Sequence, residues 1–168
     1  MGLALRGIAE TARQQSDHLQ ARSAYENSLT LFTELGDPGH ILDLLLSLAS
    51  LENSPVDVQR AGTYIRKNFR FLLESVPKSG FAACLGWLAE QAMARQHGMD
   101  AVRLLGAAQA VMDNAHLQWQ PRNRVCFENT LTDIRAQFSE VEFTKAWNEG
   151  QSISQERLVE LVQTISAG

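Results

Sequence analysis

The chain has 168 residues, of which 45% are hydrophobic and 20% charged, and its formal net charge is -4. This length fits one domain with a sizeable core, and this composition is typical of a globular protein rather than a disordered one. The negative charge argues against a dedicated nucleic-acid binder, because phosphate recognition usually requires a basic face. The most apolar run, residues 41–51, is interrupted by Asp43 and Ser47 and is too short to span a bilayer, so no membrane partner is expected.

The two cysteines, Cys84 and Cys126, lie in separate helical patterns. We expect both to be small buried hydrophobic residues in a reducing compartment, rather than a disulfide or a metal pair. A basic segment followed by an apolar one would indicate secretion, and none precedes the first helical pattern. The sequence therefore predicts a cytoplasmic protein.

The first predicted helix begins essentially at Met1, with Leu3, Leu5 and Ile8 already on its apolar face. In a stack of helical repeats, the first helix normally packs on a preceding unit or is covered by a capping helix. We therefore expect either a fragment of a longer chain or a homodimer in which two first helices meet.

Polar caps, prolines and glycines mark the next helix boundaries. Gly36 ends the second helix, and Asp37–Pro38 supplies an N-cap and a first-turn proline for the third. Ser54–Pro55 predicts the start of the fourth helix in the same way, with Asp57 placed to interact favourably with its dipole. The segment 76–80 breaks the chain before the fifth helix.

The second half of the chain contains five predicted helices. The fifth and sixth are separated by a short break at His97–Gly98, and a loop over 114–120 precedes Pro121. Three further helices follow, one of them opened by a capping box at 139–142 and ended by Gly150. Ser154 caps the last, and these three helices are predicted to cover the end of the preceding hairpins.

Small and apolar residues recur at a spacing of about 40 residues, which is typical of stacked helical hairpins. The alanines suit points where antiparallel helices cross closely, and the larger residues suit the space between hairpins. An ordinary helical bundle would bury the same residues but would not explain their fixed register. The recurring sets are Leu5/Leu45/Leu85, Ala9/Ala49/Ala89, Ala21/Ala61/Ala101, Ile8/Leu48/Leu88, Tyr25/Ile65/Leu105, Leu31/Phe71/Val111 and Phe32/Leu72/Met112.

At these residues the sequence resembles the tetratricopeptide repeats, through Ile8–Ala9, Ala21, Tyr25 and Ser28 in the first unit and Leu88–Ala89, Ala101, Leu105 and Ala108 in the third. The usual period of that family is about 34 residues, and the segment 29–37 accounts for the longer period here. The longer repeat is similar to the helical array of bacterial LuxR-type and related multidomain ATPase transcription regulators. Residues 103–108, 146–150 and 154–156 are similar to the closing segment of those regulators.

The resemblance implies an all-α fold, a right-handed superhelix of three tetratricopeptide-like hairpins closed by three C-terminal capping helices. Residues 1–168 then form a single domain with repeats at 1–38, 39–78 and 79–117 and capping helices at 118–168. The middle repeat departs from the pattern, because Glu52 and Asn68 stand where the other repeats carry small residues.

No spacing of reactive residues indicates an enzyme. The four histidines lack the spacing of a metal site, and neither a glycine-rich phosphate loop nor a nucleophile elbow is present, so no cofactor or metal is expected. Trp119 with Arg122, Arg124 and Arg135 suggests a small nucleic-acid patch. Acidic residues interleave with these arginines, which favours an ordinary solvated helix face.

The remaining candidate site is the concave groove that the resemblance implies, where the first helix of each hairpin contacts ligands. The implied function is a non-catalytic interaction or signal-sensing module of a bacterial transcription regulator, which binds a peptide or partner domain. The alternatives are a sensor that binds a small-molecule inducer in the groove, and helix faces that are merely exposed. The candidate residues are Arg6, Glu10, Arg13, Asp43, Ser50, Asn53, Glu90 and Met93, with Leu3, Leu46, Ala83 and Gly86 beside them.

Overall fold

The protein is all-α, as the sequence predicts. The computed structural model describes residues 1–52 and 54–165, and this part of the chain contains helices and connecting turns without a strand. The helices are α1 (Gly2–Gln14), α2 (His18–Leu35), α3 (Pro38–Glu52), α4 (Pro55–Ser75), α5 (Lys78–Ala94), α6 (Gly98–Asn114), α7 (Pro121–Arg135), α8 (Glu140–Gln151) and α9 (Gln155–Ile165).

The chain divides into two compact units, Met1–Val76 and Pro77–Gly168. In the first unit α1, α2, α3 and α4 pack in sequence, each against the next. In the second unit α6 packs against both α5 and α8, and α7 contacts α5 and α6. The division lies close to the boundary predicted between the second and third repeats.

The recurring alanines are buried in every predicted repeat. Ala9, Ala49 and Ala89 are at most 1% exposed, and Ala21, Ala61 and Ala101 are fully buried. The sets Tyr25/Ile65/Leu105 and Phe32/Leu72/Met112 are buried as well. Ile8 differs from Leu48 and Leu88, because it is 49% exposed on α1 whereas both leucines are buried.

The turns that close the first and third hairpins have the same backbone geometry. Ser16 and Gln96, which are 80 residues apart, both adopt positive φ, at 60° and 65°. The N–H of the following residue donates to the carbonyl of an alanine in each case, Asp17 to Ala12 at 2.9 Å and His97 to Ala92 at 2.8 Å. The middle hairpin does not share this geometry, because the residue at the equivalent position, Val56, lies in the first turn of α4.

Most of the predicted helix boundaries are confirmed. Gly36 ends α2 in the left-handed conformation at φ 66°, and the Asp37 carboxylate accepts the backbone N–H of His40 at 3.0 Å at the start of α3. The capping box between Ser139 and Glu142 is formed. Ser54 precedes α4 as predicted, but its hydroxyl makes no capping hydrogen bond.

Gly150 has a different role from the predicted one. Helix α8 continues past it to Gln151, and Gly150 is buried where α8 crosses α6. A Cβ at this position would collide with the backbone carbonyl of Arg103. Gly106 makes the reciprocal approach, because a Cβ there would lie 2.5 Å from the carbonyl oxygen of Trp147. The two glycines allow the backbones of α6 and α8 to touch.

Gly150→Ala is expected to lower the free energy of unfolding by about 1–3 kcal/mol or more, because relief of the clash requires α6 and α8 to move apart. The matched control is Gly86→Ala in the interior of α5, where a Cβ meets nothing within 4 Å. The control is expected to stabilise the helix by about 0.5–1 kcal/mol. Urea unfolding measures both changes, and equal midpoints for the two variants would contradict the close crossing.

Candidate functional site

Five of the predicted binding residues, Arg6, Glu10, Arg13, Asp43 and Ser50, lie on α1 and α3 of the first unit. An Nη of Arg6 lies 2.8 Å from the Oδ2 of Asp43 and joins the two helices in an ion pair. Glu10 accepts hydrogen bonds from the Arg13 guanidinium at 3.1 Å and from the buried Tyr25 hydroxyl at 2.5 Å. The result is a partly exposed surface of alternating charge, which we call the α1/α3 face and define by Arg6, Glu10, Arg13 and Asp43.

Hydrogen bonds and ion pairs between neighbouring side chains fix the positions of the charged groups on the α1/α3 face. Burial lowers the pKa of Arg13, but the hydrogen bond and negative charge of Glu10 outweigh it, and the net pKa is raised. The guanidinium therefore remains charged. Ser50 is exposed near the end of α3, and Asn53, the next predicted residue, lies outside the described residues.

The remaining predicted residues, Glu90 and Met93, belong to α5 in the second unit. Burial raises the pKa of Glu90, while a hydrogen bond from Thr130 and the positive charge of Arg122 oppose the rise. Both of these groups belong to α7, so α7 lies next to Glu90. Met93 is half-buried.

An ion-pair network that the sequence did not predict links α2 to α4. Asp57, whose side chain is 3% exposed, accepts hydrogen bonds from Arg22 at 2.8 Å and Arg60 at 3.2 Å. Arg22 also contacts Glu52 at 3.2 Å, and Arg60 contacts Glu26 at 2.7 Å. The sequence indicated only a favourable dipole interaction for Asp57, because its partner Arg22 is 35 residues distant in the chain.

An aromatic cluster occupies the second unit between α6, α7 and α8. Trp119 stacks on Phe127, and Trp147 stacks on Phe143, with ring centroids 4.8 Å and 5.6 Å apart. The Trp119 indole N–H donates to Gln109 at 3.2 Å, and Arg135 lies over the ring of Phe143 at 4.7 Å. These aromatic rings and Arg135 therefore contact one another within the protein.

Each unit contains a surface cavity of ligand size. The cavity of the first unit has a volume of about 550 Å³ and is formed by α2, α3 and α4, whereas that of the second unit has about 880 Å³ and is rich in charged groups. In the second cavity Arg103 already binds Glu149 and Asp100, at 2.8 Å and 2.9 Å. Arg157 is likewise paired with Glu160 at 3.0 Å.

Cys84 is buried as predicted, but the prediction for Cys126 is wrong, because this residue is exposed on α7. Burial raises the pKa of the Cys84 thiol to about 12. Among residues 1–52 and 54–165 no group of three or more His, Cys, Asp or Glu side chains is placed to hold a metal ion. None of the helices described here combines the length and apolar character needed to cross a bilayer.

Comparisons with protein-family models, with curated protein sequences and with solved structures found no match for this chain. The class that the fold itself defines is an all-α protein.

Asp57→Asn is expected to destabilise the protein by about 1–3 kcal/mol, because it leaves Arg22 and Arg60 near a neutral buried group. The two arginines are 30% and 41% exposed, and water therefore reduces the effect below that of a fully buried pair. Asp43→Asn is the matched control, because the Arg6–Asp43 pair is 36% and 46% exposed and should contribute less than about 1 kcal/mol. Equal decreases in the thermal unfolding midpoint of the two variants would contradict the larger contribution expected of the buried Asp57.

Glu90→Gln is expected to change how stability depends on pH. Since burial raises the native pKa of Glu90 above its ordinary value of 4.5, the native state holds this proton more tightly than the unfolded state. The resulting stabilisation is complete below pH 4.5 and is lost as the pH rises through the higher native value. Above that pH range the variant should be more stable than the unmodified protein, and its free energy of unfolding should depend less on pH.

The control for this experiment is Asp133→Asn, which removes an exposed carboxylate from α7. Chemical unfolding across the acidic range gives the free energy of both variants. A profile for Glu90→Gln that parallels the unmodified protein would contradict the burial of this carboxylate.

Proposed function

We propose that this chain is a tetratricopeptide-like module of a bacterial transcription regulator that binds a peptide or partner domain on the α1/α3 face. The observation that carries the proposal is the recurrence of buried alanines in one register, Ala9/Ala49/Ala89 and Ala21/Ala61/Ala101. A stacked array in a right-handed superhelix, closed by α7–α9, would produce such recurrence. The proposal places the module in the cytoplasm and gives it no catalytic role.

The chemistry of the α1/α3 face suits a peptide of mixed charge. Its ion pairs are partly exposed, and such pairs contribute at most about 1 kcal/mol in water. The Oδ2 of Asp43 that pairs with Arg6 is buried, so a peptide carboxylate would add to the partly exposed Arg6 guanidinium rather than replace Asp43. The hydroxyl of Ser50 offers a further polar contact near the end of α3.

The experiment is a selection of peptides from a random displayed library on the full chain, followed by affinity measurement. Peptides that occupy the α1/α3 face should bind the double variant Arg6→Ala/Arg13→Ala at least roughly tenfold more weakly, which corresponds to about 1.4 kcal/mol. The control double variant, Arg124→Ala/Arg157→Ala, removes two exposed arginines of the second unit.

Two results would contradict the proposal. One is a selection that yields no peptide above background, and the other is a set of peptides whose affinities are the same for both double variants. Circular dichroism of each variant establishes that the helices are intact.

A further inference from the structure

The cavity of the first unit lies between α2 and α4 with α3 beneath it. Both α2 and α4 pack against α3, and the Arg60–Glu26 ion pair at 2.7 Å bridges α2 and α4 directly. Leu29 and Thr33 line the cavity from α2, at positions that follow Glu26 along the helix. The cavity is therefore a groove between α2 and α4 that lies beside the Arg60–Glu26 ion pair.

The groove has an apolar floor and a polar rim. Leu29 and Leu45 are buried, and Ile41 is half-buried beside them. Two rim groups already have internal partners, since the Thr33 hydroxyl donates to the Leu29 carbonyl at 2.7 Å and the Asn68 amide donates to the Tyr64 carbonyl at 2.8 Å. The volume of about 550 Å³ falls within the range of small-molecule sites in proteins.

The charges at the rim favour an anionic ligand. The residues that line the groove include two cations, Arg60 and Lys67, and no carboxylate, although the chain as a whole is acidic. Arg60 is already paired, whereas Lys67 has no ion-pair partner among residues 1–52 and 54–165. Burial and the charge of Asp37 raise the pKa of Tyr64, but the Asp37 carboxylate is itself engaged by His40.

We propose that this groove binds a small amphiphilic carboxylic acid, with its apolar chain along Leu29, Ile41 and Leu45 and its carboxylate at the Lys67 ammonium. Each methylene that leaves water contributes about 0.8 kcal/mol, so a medium-length chain provides most of the affinity. The ion pair selects the acid over a neutral molecule of the same length. This site is separate from the α1/α3 face and does not depend on the peptide proposal.

The experiment uses decanoate and decanol as matched probes, both below their aggregation limits, with the full chain labelled for nuclear magnetic resonance. Decanoate should shift the methyl resonances of Leu29, Ile41 and Leu45 and should bind more tightly than decanol. Lys67→Ala should weaken decanoate about fivefold, the scale of one partly exposed ion pair, and should leave decanol unchanged. Lys145→Ala, at an exposed lysine of α8, is the control and should alter neither affinity.

A second pair of variants fills the groove. Thr33→Trp and, independently, Thr63→Trp place a large side chain at its wall, and each should abolish the binding of both probes while the helical circular dichroism is retained. Three results would overturn the proposal: no binding of decanoate, equal binding of decanoate and decanol, or binding that survives in a folded tryptophan variant.

Discussion

The structure depends on close helix crossings at which the residues are alanine or glycine, with no side chain larger than a methyl group. At the crossing of α6 and α8 the limit is stricter still, because Gly106 and Gly150 bring the two backbones into contact. Close contact of this kind maximises the dispersion attraction between helices and leaves no space for water. Ala21, Ala61 and Ala101 are fully buried, as expected for small residues where helices pack closely.

In the first unit, α2 and α4 are joined by an ion-pair network rather than by a close contact of small residues. Asp57 is buried between two arginines, and the desolvation of its carboxylate is offset only because both guanidinium groups are oriented toward it. Such a network favours one relative placement of α2 and α4, since a shift of either helix separates Arg22 from Asp57 and Glu26 from Arg60. Arg60, which pairs with Glu26, also lines the groove together with Leu45.

The features that the sequence predicts correctly are local ones. The end of α2 at Gly36 and the capping box at Ser139 follow from a few adjacent residues, and the buried register follows from repeated spacing. The errors and omissions concern contacts between distant segments. A glycine near the end of a helical pattern predicts a helix end, whereas the role of Gly150 depends on its close approach to the distant Arg103. Similarly, nothing near Glu90 in the sequence indicates that α7 lies beside it. For the α1/α3 face, the sequence indicated Arg6, Glu10, Arg13 and Asp43 but not that they pair with one another.

The two thiols differ in exposure, so the rates at which they are alkylated report on opening of the second unit. Cys126 is exposed, whereas Cys84 is fully buried with a pKa of about 12 and is almost entirely in the unreactive thiol form at neutral pH. An alkylating reagent therefore modifies the intact protein at one position, and reaction at the second must wait until α5 separates from its neighbours. The lag between the first and second additions reports how often the second unit opens, without any substitution or attached probe.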